Sequence, residues 1–155
     1  MSTPLAPTIE DDILERATRD AHFAGLPYAG SIAARDAWTL IQAERAVLVD
    51  VRSAEERKFF GYVPGSLHAA WATGIGLARN PRFLRELESK VDKDAVILLL
   101  CRSGKRSALA AEAATRIGFT NAFNVLEGFE GDLDDRHRRG ETGGWRMRGL
   151  RWVQD

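Results

Sequence analysis

The sequence predicts an α/β fold in which an open, mostly parallel sheet carries helices on both faces. Two short apolar runs, at 47–51 and 95–100, have the composition of strands that are buried on both faces. Amphipathic helical patterns alternate with these runs, and this alternation is typical of parallel sheets. Ligands of such sheets bind beyond the carboxyl ends of the strands. Residues that directly follow a strand are therefore the first candidates for chemistry.

A helix is predicted ahead of the first strand. Thr8 is the expected N-cap, the helix runs to about Phe23, and Gly25 marks its end. A looser stretch then separates this helix from the patterns that follow. Residues 1–30 are therefore expected to form an N-terminal helical extension, and residues 31–155 the main domain.

The rest of the chain continues the alternation of helices and strands. Capping signals fix several of the helix starts, and a glycine fixes one helix end. In chain order we predict a helix at 33–44, a strand at 47–51, a short helix capped by Ser53 and Glu56, a strand at 67–70, a helix capped by Asn80, a strand at 95–100, a helix at 107–117 that Gly118 terminates, and a strand at 122–126.

Composition and charge exclude several classes of protein. With 155 residues, of which 45% are hydrophobic, the chain fits one globular domain. Its 22 basic and 22 acidic side chains cancel, so we expect neither nucleic acid nor an anionic membrane as the main partner. No apolar run is long enough to span a bilayer or to serve as a secretory signal. We therefore expect a cytoplasmic protein, and its single cysteine excludes an internal disulfide.

That cysteine, Cys101, stands where the apolar run at 95–100 gives way to a cationic turn. Backbone amides in a turn between a strand and a helix can converge on an anion, and the positive end of the helix points to the same place. Such surroundings favour a thiolate, which is the reactive form of cysteine. We therefore predict that Cys101 is the nucleophile and that the substrate-binding loop is formed by Arg102, Ser103, Gly104, Lys105, Arg106 and Ser107.

A plainer alternative exists for the same residues. Free cysteine is among the most buried residue types and often serves only as a small apolar side chain. Under this interpretation, an inert Cys101 lies behind a solvated basic turn.

Several motifs stand out along the chain: 48–52 with Glu55 or Glu56 after it, 61–66, 101–107, 126–129, and the pair Gly144 and Trp145. Together they resemble one known family, the rhodanese-like (thiosulfate sulfurtransferase) domains. The resemblance covers about residues 31–155, and the motifs occur in the expected order and spacing. The family often has a histidine where this chain has Tyr62, and a small polar residue where it has His68.

The resemblance implies a sulfurtransferase. Cys101 would accept a sulfane sulfur from thiosulfate or a similar small donor, become a persulfide, and pass the sulfur to a thiophilic acceptor such as cyanide or a thiol. Two displacements of this kind predict ping-pong kinetics. Of the cations, Lys105 and Arg106 are expected to face the donor more than Arg102. No cofactor is expected.

No metal is expected either. The histidines His22, His68 and His137 have no spacing suited to metal binding and are interpreted as surface or structural residues.

Two other functions remain open. A persulfide carrier or regulatory module, loaded by a partner protein, would use the same cysteine and hand its sulfur to an outside acceptor. A phosphatase or arsenate reductase of the related fold would need an arginine six residues after the cysteine. That position is Ser107 here, and the arginine comes one residue earlier, at Arg106.

Two further expectations concern structure rather than chemistry. Asp50 and Arg52 are expected to form a structural ion pair or hydrogen-bond network at the end of their strand. Segment 131–152 mixes acidic and basic residues and is expected to be a solvated tail. Trp145 and Trp152 are expected to attach this tail to the domain.

Overall fold

The computed structural model describes residues 6–155 and contains a five-stranded, fully parallel sheet flanked by helices. Across this sheet, from one edge to the other, lie the first, seventh, sixth, second and third strands of the chain. The fourth and fifth strands form a separate antiparallel hairpin. The elements are α1 (Ile9–Ala24), β1 (Gly30–Ile32), α2 (Ala34–Gln42), β2 (Val47–Asp50), α3 (Ala54–Phe60), β3 (Leu67–His68), β4 (Ala72–Thr73), β5 (Ala78–Arg79), α4 (Phe83–Lys90), β6 (Ile97–Leu100), α5 (Lys105–Arg116) and β7 (Ala122–Val125).

The register of the central strands brings their ends to one edge. Strand β2 pairs with β6 so that Asp50 lies opposite Leu100. The amide of Val51 then donates to the carbonyl of Leu100 at 2.8 Å. Cys101 follows Leu100 directly, so it lies at the carboxyl edge where parallel sheets bind their ligands.

Alternate residues of β6 point to opposite faces of the sheet, as its period of two requires. Leu98 and Leu100 belong to the core shared with α1 and α2. Ile97 and Leu99 belong to the core shared with α4 and α5. All four side chains are fully buried, and this confirms the predicted α/β sheet with helices on both faces.

Helix α1 is built as the sequence predicts. The Thr8 side chain accepts from the amide of Asp11, while the Asp11 carboxylate accepts from the amide of Thr8, which completes a capping box. The helix packs closely on β1, because a Cβ added at Gly30 would lie only 2.6 Å from the carbonyl oxygen of Ala17. Glycine at position 30 therefore allows this close approach.

Two helix starts differ from the prediction. Helix α4 begins at Phe83 rather than at Pro81, because the Asn80 side chain caps a turn ahead of it. The Asn80 carboxamide accepts from the amide of Arg82 and donates to the carbonyl of Ala70. Helix α5 begins at Lys105, two residues earlier than predicted.

Three of the short strands were not predicted. Strand β1 has three residues, and β4 and β5 have two each, so none carries an alternating pattern that could be recognised alone. Each exists through its pairing with another part of the chain.

The carboxyl-terminal segment is attached by aromatic packing, which confirms the role predicted for its tryptophans. Trp145 is fully buried and packs edge-on against Trp38, with ring centroids 5.9 Å apart. Trp152 packs edge-on against Phe129 at 6.1 Å. Most residues between 132 and 142 are exposed, as predicted. Among residues 6–155, no helix has both the length and the apolar character needed to cross a membrane.

Candidate active site

The Cys101 side chain lies at the base of the loop between β6 and α5. The residue is 1% exposed, and its sulfur lies within hydrogen-bond distance of two polar groups of the same loop. The amide of Gly104 lies 3.1 Å from Sγ, and the hydroxyl oxygen of Ser107 lies 3.2 Å from Sγ. The loop therefore curves around the sulfur, as the sequence predicts for an anion-binding turn.

The conformation of Gly104 produces this curvature. Its φ of 102° lies in a region that favours glycine, and it is the N-cap of α5. Helix α5 has twelve residues and begins directly after Gly104. The positive end of its dipole therefore lies beside the loop that holds the sulfur. Unpaired amides and the helix dipole both stabilise negative charge at this position.

The turn after β7 contacts the loop through backbone hydrogen bonds. The amide of Phe129 donates to the carbonyl of Cys101 at 2.8 Å, and the amides of Glu130 and Gly131 donate to the carbonyl of Arg102. Gly128 lies so close that an added Cβ would be 2.5 Å from the carbonyl oxygen of Arg102. The loop after Cys101 is therefore fixed by backbone contacts with the turn after β7.

The three loop cations differ in their partners. Arg106 donates from both terminal nitrogens to the carboxylate of Glu56, at 2.7 Å each. Within residues 6–155, the side chains of Arg102 and Lys105 form no ion pair with a carboxylate. Arg102 and Ser103 are partly exposed, and Lys105 is exposed. Arg102 and Lys105 are thus the cations of the loop that remain free to meet a ligand, and a role for Arg106 in donor contact stays a prediction.

The ion pair between Arg106 and Glu56 shifts the pKa values of both side chains. Burial alone would raise the pKa of Glu56, but the hydrogen bonds and the charge of Arg106 hold that pKa below its ordinary value. Burial alone would lower the pKa of Arg106, yet the hydrogen bonds and the charge of Glu56 hold it above its ordinary value. Arg106 therefore stays charged close to the sulfur.

A neutral replacement of Glu56 is expected to change the acid stability of the fold. The folded carboxyl has a lowered pKa, so its stabilisation is complete above the ordinary value of 4.5 and is lost as the pH falls through the lower folded value. Glu56→Gln should lower the free energy of unfolding by about 2 kcal/mol at neutral pH, because it removes a charged hydrogen-bonded pair. The gap between the two proteins should narrow below pH 4.5. Urea unfolding at several pH values measures this gap.

The matched control is Glu88→Gln. Glu88 pairs with Lys93 at 3.5 Å in an ion pair whose side chains are about half exposed, and such pairs contribute little. A constant gap for Glu56→Gln across the acid range would contradict the assigned role of its carboxylate.

The predicted network of Asp50 and Arg52 is present and structural. Both side chains are fully buried, and Arg52 donates to the Asp50 carboxylate and to the carbonyl of Gly61. Arg57 donates to the same carboxylate at 2.9 Å. The Arg52 guanidinium also stacks 4.2 Å over the ring of Phe129. The network thus joins the end of β2 to α3 and to the turn that supports the Cys101 loop.

Two residues that surround the site were not found from the sequence. Glu56 was assigned only a capping role, which it also fulfils through Ser53. Asn124, on β7, lies beside Ser107 and Gly104. A polar residue inside an otherwise apolar strand was the available signal for Asn124.

The fold and the site together define a parallel α/β domain with a recessed thiol at the head of a loop rich in amides and cations. The family model for the Rhodanese-like domain matches residues 33–134. The chain therefore belongs to the rhodanese-like family.

Individual relatives agree with this assignment. The crystal structure of Rv0390 from M. tuberculosis has 44% sequence identity and a TM-score of 0.74, and the match covers 83% of this chain and 99% of that one. The uncharacterised RP600 homolog of Rickettsia rickettsii is 36% identical over an alignment of 119 residues, and the match covers 73% of this chain and 87% of that protein. The thiosulfate sulfurtransferase GlpE of Actinobacillus succinogenes is 33% identical over 95 residues, covering 61% of this chain and 76% of that protein.

Proposed function

We propose that this protein is a sulfurtransferase that moves a sulfane sulfur from thiosulfate or a similar donor to a thiophilic acceptor through a persulfide on Cys101. The observation that carries the proposal is the environment of the sulfur, which accepts a hydrogen bond from the amide of Gly104 and lies 3.2 Å from the hydroxyl oxygen of Ser107, at the positive end of α5. The resemblance to a protein named as a thiosulfate sulfurtransferase supports the choice of donor.

In the first step the Cys101 thiolate attacks the outer sulfur of thiosulfate. A new S–S bond forms to Cys101 while the S–S bond of thiosulfate breaks, and its electron pair leaves with sulfite. The products are an anionic persulfide and a sulfite dianion, so charge is conserved. In the second step an acceptor such as cyanide attacks the outer sulfur of the persulfide. Thiocyanate leaves and the Cys101 thiolate is restored.

The loop cations assist the first step. Donor and leaving group are both dianions, and cations aimed at developing negative charge stabilise its departure. Arg102 and Lys105 are available for direct contact, because neither is held by a carboxylate among residues 6–155. Arg106 contributes chiefly through its charge while Glu56 holds its guanidinium.

Removing a free cation is expected to weaken the use of the donor. Lys105→Ala and Arg102→Ala should each raise the KM for thiosulfate roughly two- to fivefold. The effect is modest because solvent screens a single charge that is at least partly exposed. The increase should shrink in high salt. Arg116→Ala is the matched control, since Arg116 lies at the far end of the same helix and is exposed. An equal effect of all three substitutions would contradict a local role for the loop cations.

One observation is also compatible with a second candidate, a persulfide carrier that a partner protein loads. Cys101 is the only cysteine of the chain, so the acceptor of its sulfur must come from another molecule. Steady-state transfer from thiosulfate to cyanide tests the two functions. Parallel lines in double-reciprocal plots are expected for the sulfurtransferase. Negligible turnover combined with rapid loading by a cysteine desulfurase would instead support the carrier.

The geometry gives no support to the phosphatase alternative. Ser107 stands where that chemistry needs an arginine, and its side chain is fully buried against Cys101 and Asn124. The arginine one position earlier, Arg106, is held by Glu56.

A further inference from the structure

Asn124 is a buried polar residue for which the transfer of sulfur has no direct use. It lies on β7, is 5% exposed, and its carboxamide connects two parts of the Cys101 loop. Its Nδ2 donates to the carbonyl of Gly104 at 3.2 Å. Its Oδ1 lies 2.5 Å from the hydroxyl oxygen of Ser107.

The orientation of this carboxamide follows from the chemistry of its neighbours. The carbonyl of Gly104 can only accept hydrogen bonds, so the amide nitrogen must face it. The amide oxygen must then face Ser107. An amide oxygen can only accept, so the hydroxyl of Ser107 must donate to it.

This arrangement commits the only hydroxyl hydrogen of Ser107. Its oxygen lies 2.5 Å from Asn124 Oδ1 and 3.2 Å from Cys101 Sγ, but one hydrogen cannot serve both. With that hydrogen on Asn124, the lone pairs of the Ser107 oxygen face the sulfur. Lone pairs in this position accept a hydrogen bond from a thiol and repel a thiolate.

We propose that Asn124 is a positioning residue that controls the ionisation of Cys101 by competing with its sulfur for the hydroxyl hydrogen of Ser107. The thiol donates to Ser107 while Ser107 donates to Asn124. When the thiolate forms, either the hydroxyl turns toward the sulfur and leaves the buried Oδ1 without a donor, or the sulfur faces lone pairs. Both outcomes cost free energy, so Asn124 makes the thiolate harder to form. The inference rests on the proposed function only in taking Cys101 as the nucleophile.

Charged groups also lie on the elements around this loop, and they stay the same in the comparison below. They lie on the loop and α5, on α3, at the end of β2, on the hairpin beside Trp71, and on the turn after β7 with its partner. These groups are Arg102, Lys105 and Arg106; Glu56 and Arg57; Asp50 and Arg52; Arg79; and Glu127 with Arg148.

The test is the pH dependence of alkylation of Cys101 by iodoacetamide. Because the chain has one cysteine, the rate reports on Cys101 alone. Asn124→Leu frees the Ser107 hydroxyl to donate to the thiolate. We expect the midpoint of the rate profile to move to lower pH by about half to one pH unit, which corresponds to one hydrogen bond. Asn124→Ala should move it in the same direction.

Ser107→Ala decides whether Asn124 acts through the hydroxyl. This variant removes the acceptor of the thiol and the lone pairs that face the thiolate, so its midpoint should also fall. Adding Asn124→Leu to Ser107→Ala should then cause no further shift. A general loosening of the loop would instead make Asn124→Leu shift the midpoint equally with and without Ser107.

Two results would overturn the proposal. One is an equal shift in both backgrounds. The other is a rise of the midpoint in Ser107→Ala, which would mean that Ser107 donates to the thiolate in the native protein, and this variant answers the question even if those at Asn124 do not fold. Alkylation needs no sulfur donor. The expected midpoint shifts, in a protein that takes no sulfur from thiosulfate, would therefore contradict the proposed function and leave this inference standing.

Discussion

Cys101→Ala is expected to lose transfer of sulfur from thiosulfate to cyanide by roughly a thousandfold or more, the scale on which removal of a covalent nucleophile acts. Without a sulfur atom at this position, no persulfide can form. The measurement is thiocyanate production under conditions that saturate the wild type. Circular dichroism and the thermal midpoint should remain close to those of the wild type, since the substitution removes one small side chain.

Cys101→Ser is the matched control for this loss. A hydroxyl keeps a polar atom within reach of the Gly104 amide and the Ser107 hydroxyl, so the loop keeps its shape. It cannot carry a sulfane sulfur and should be equally inactive. Turnover by either variant at a rate close to that of the wild type would contradict the role given to Cys101.

Gly128→Ala is expected to produce a large loss of stability. Its φ of 68° is costly for alanine, and the new Cβ would lie 2.5 to 2.6 Å from the carbonyl oxygens of Arg102 and Cys101. Neither carbonyl can move away easily, because backbone amides of the turn after β7 donate hydrogen bonds to both. The free energy of unfolding should fall by more than about 3 kcal/mol, and the remaining folded protein should transfer sulfur poorly.

Gly65→Ala separates conformational strain from collision. Gly65 has a φ of 80°, but no atom lies within 4 Å of the position that its Cβ would occupy. Its replacement should cost only about 1–2 kcal/mol and leave sulfur transfer intact. Chemical denaturation of both variants measures the difference. Similar losses at the two positions would show that the contact between the turn and the Cys101 loop is not what constrains residue 128.

Much of the fold could be predicted because its main signals are local. The apolar run that ends at Leu100, the change to cations after Cys101 and the glycine at 104 all lie within a few residues of one another. The capping boxes at Thr8 and Ser53 are likewise contained within one turn of helix. Interactions over such short separations leave a readable pattern in the sequence.

The remaining features depend on contacts between distant parts of the chain. Glu56 meets Arg106 across 50 positions and Asn124 meets Ser107 across 17, so neither pair leaves a local pattern. The same reason explains the pairing of β1 with β7. Asn80 illustrates a different limit, because a side chain that can cap a helix can equally cap the turn before it.

The most direct test of the central claim is the intact mass of the wild-type protein after incubation with excess thiosulfate and removal of the donor. The account predicts a gain of one sulfur atom per chain, which a reducing thiol removes and which prior alkylation of Cys101 prevents. An unchanged mass, with Cys101 still open to alkylation, would contradict the transfer of sulfur from thiosulfate to this residue.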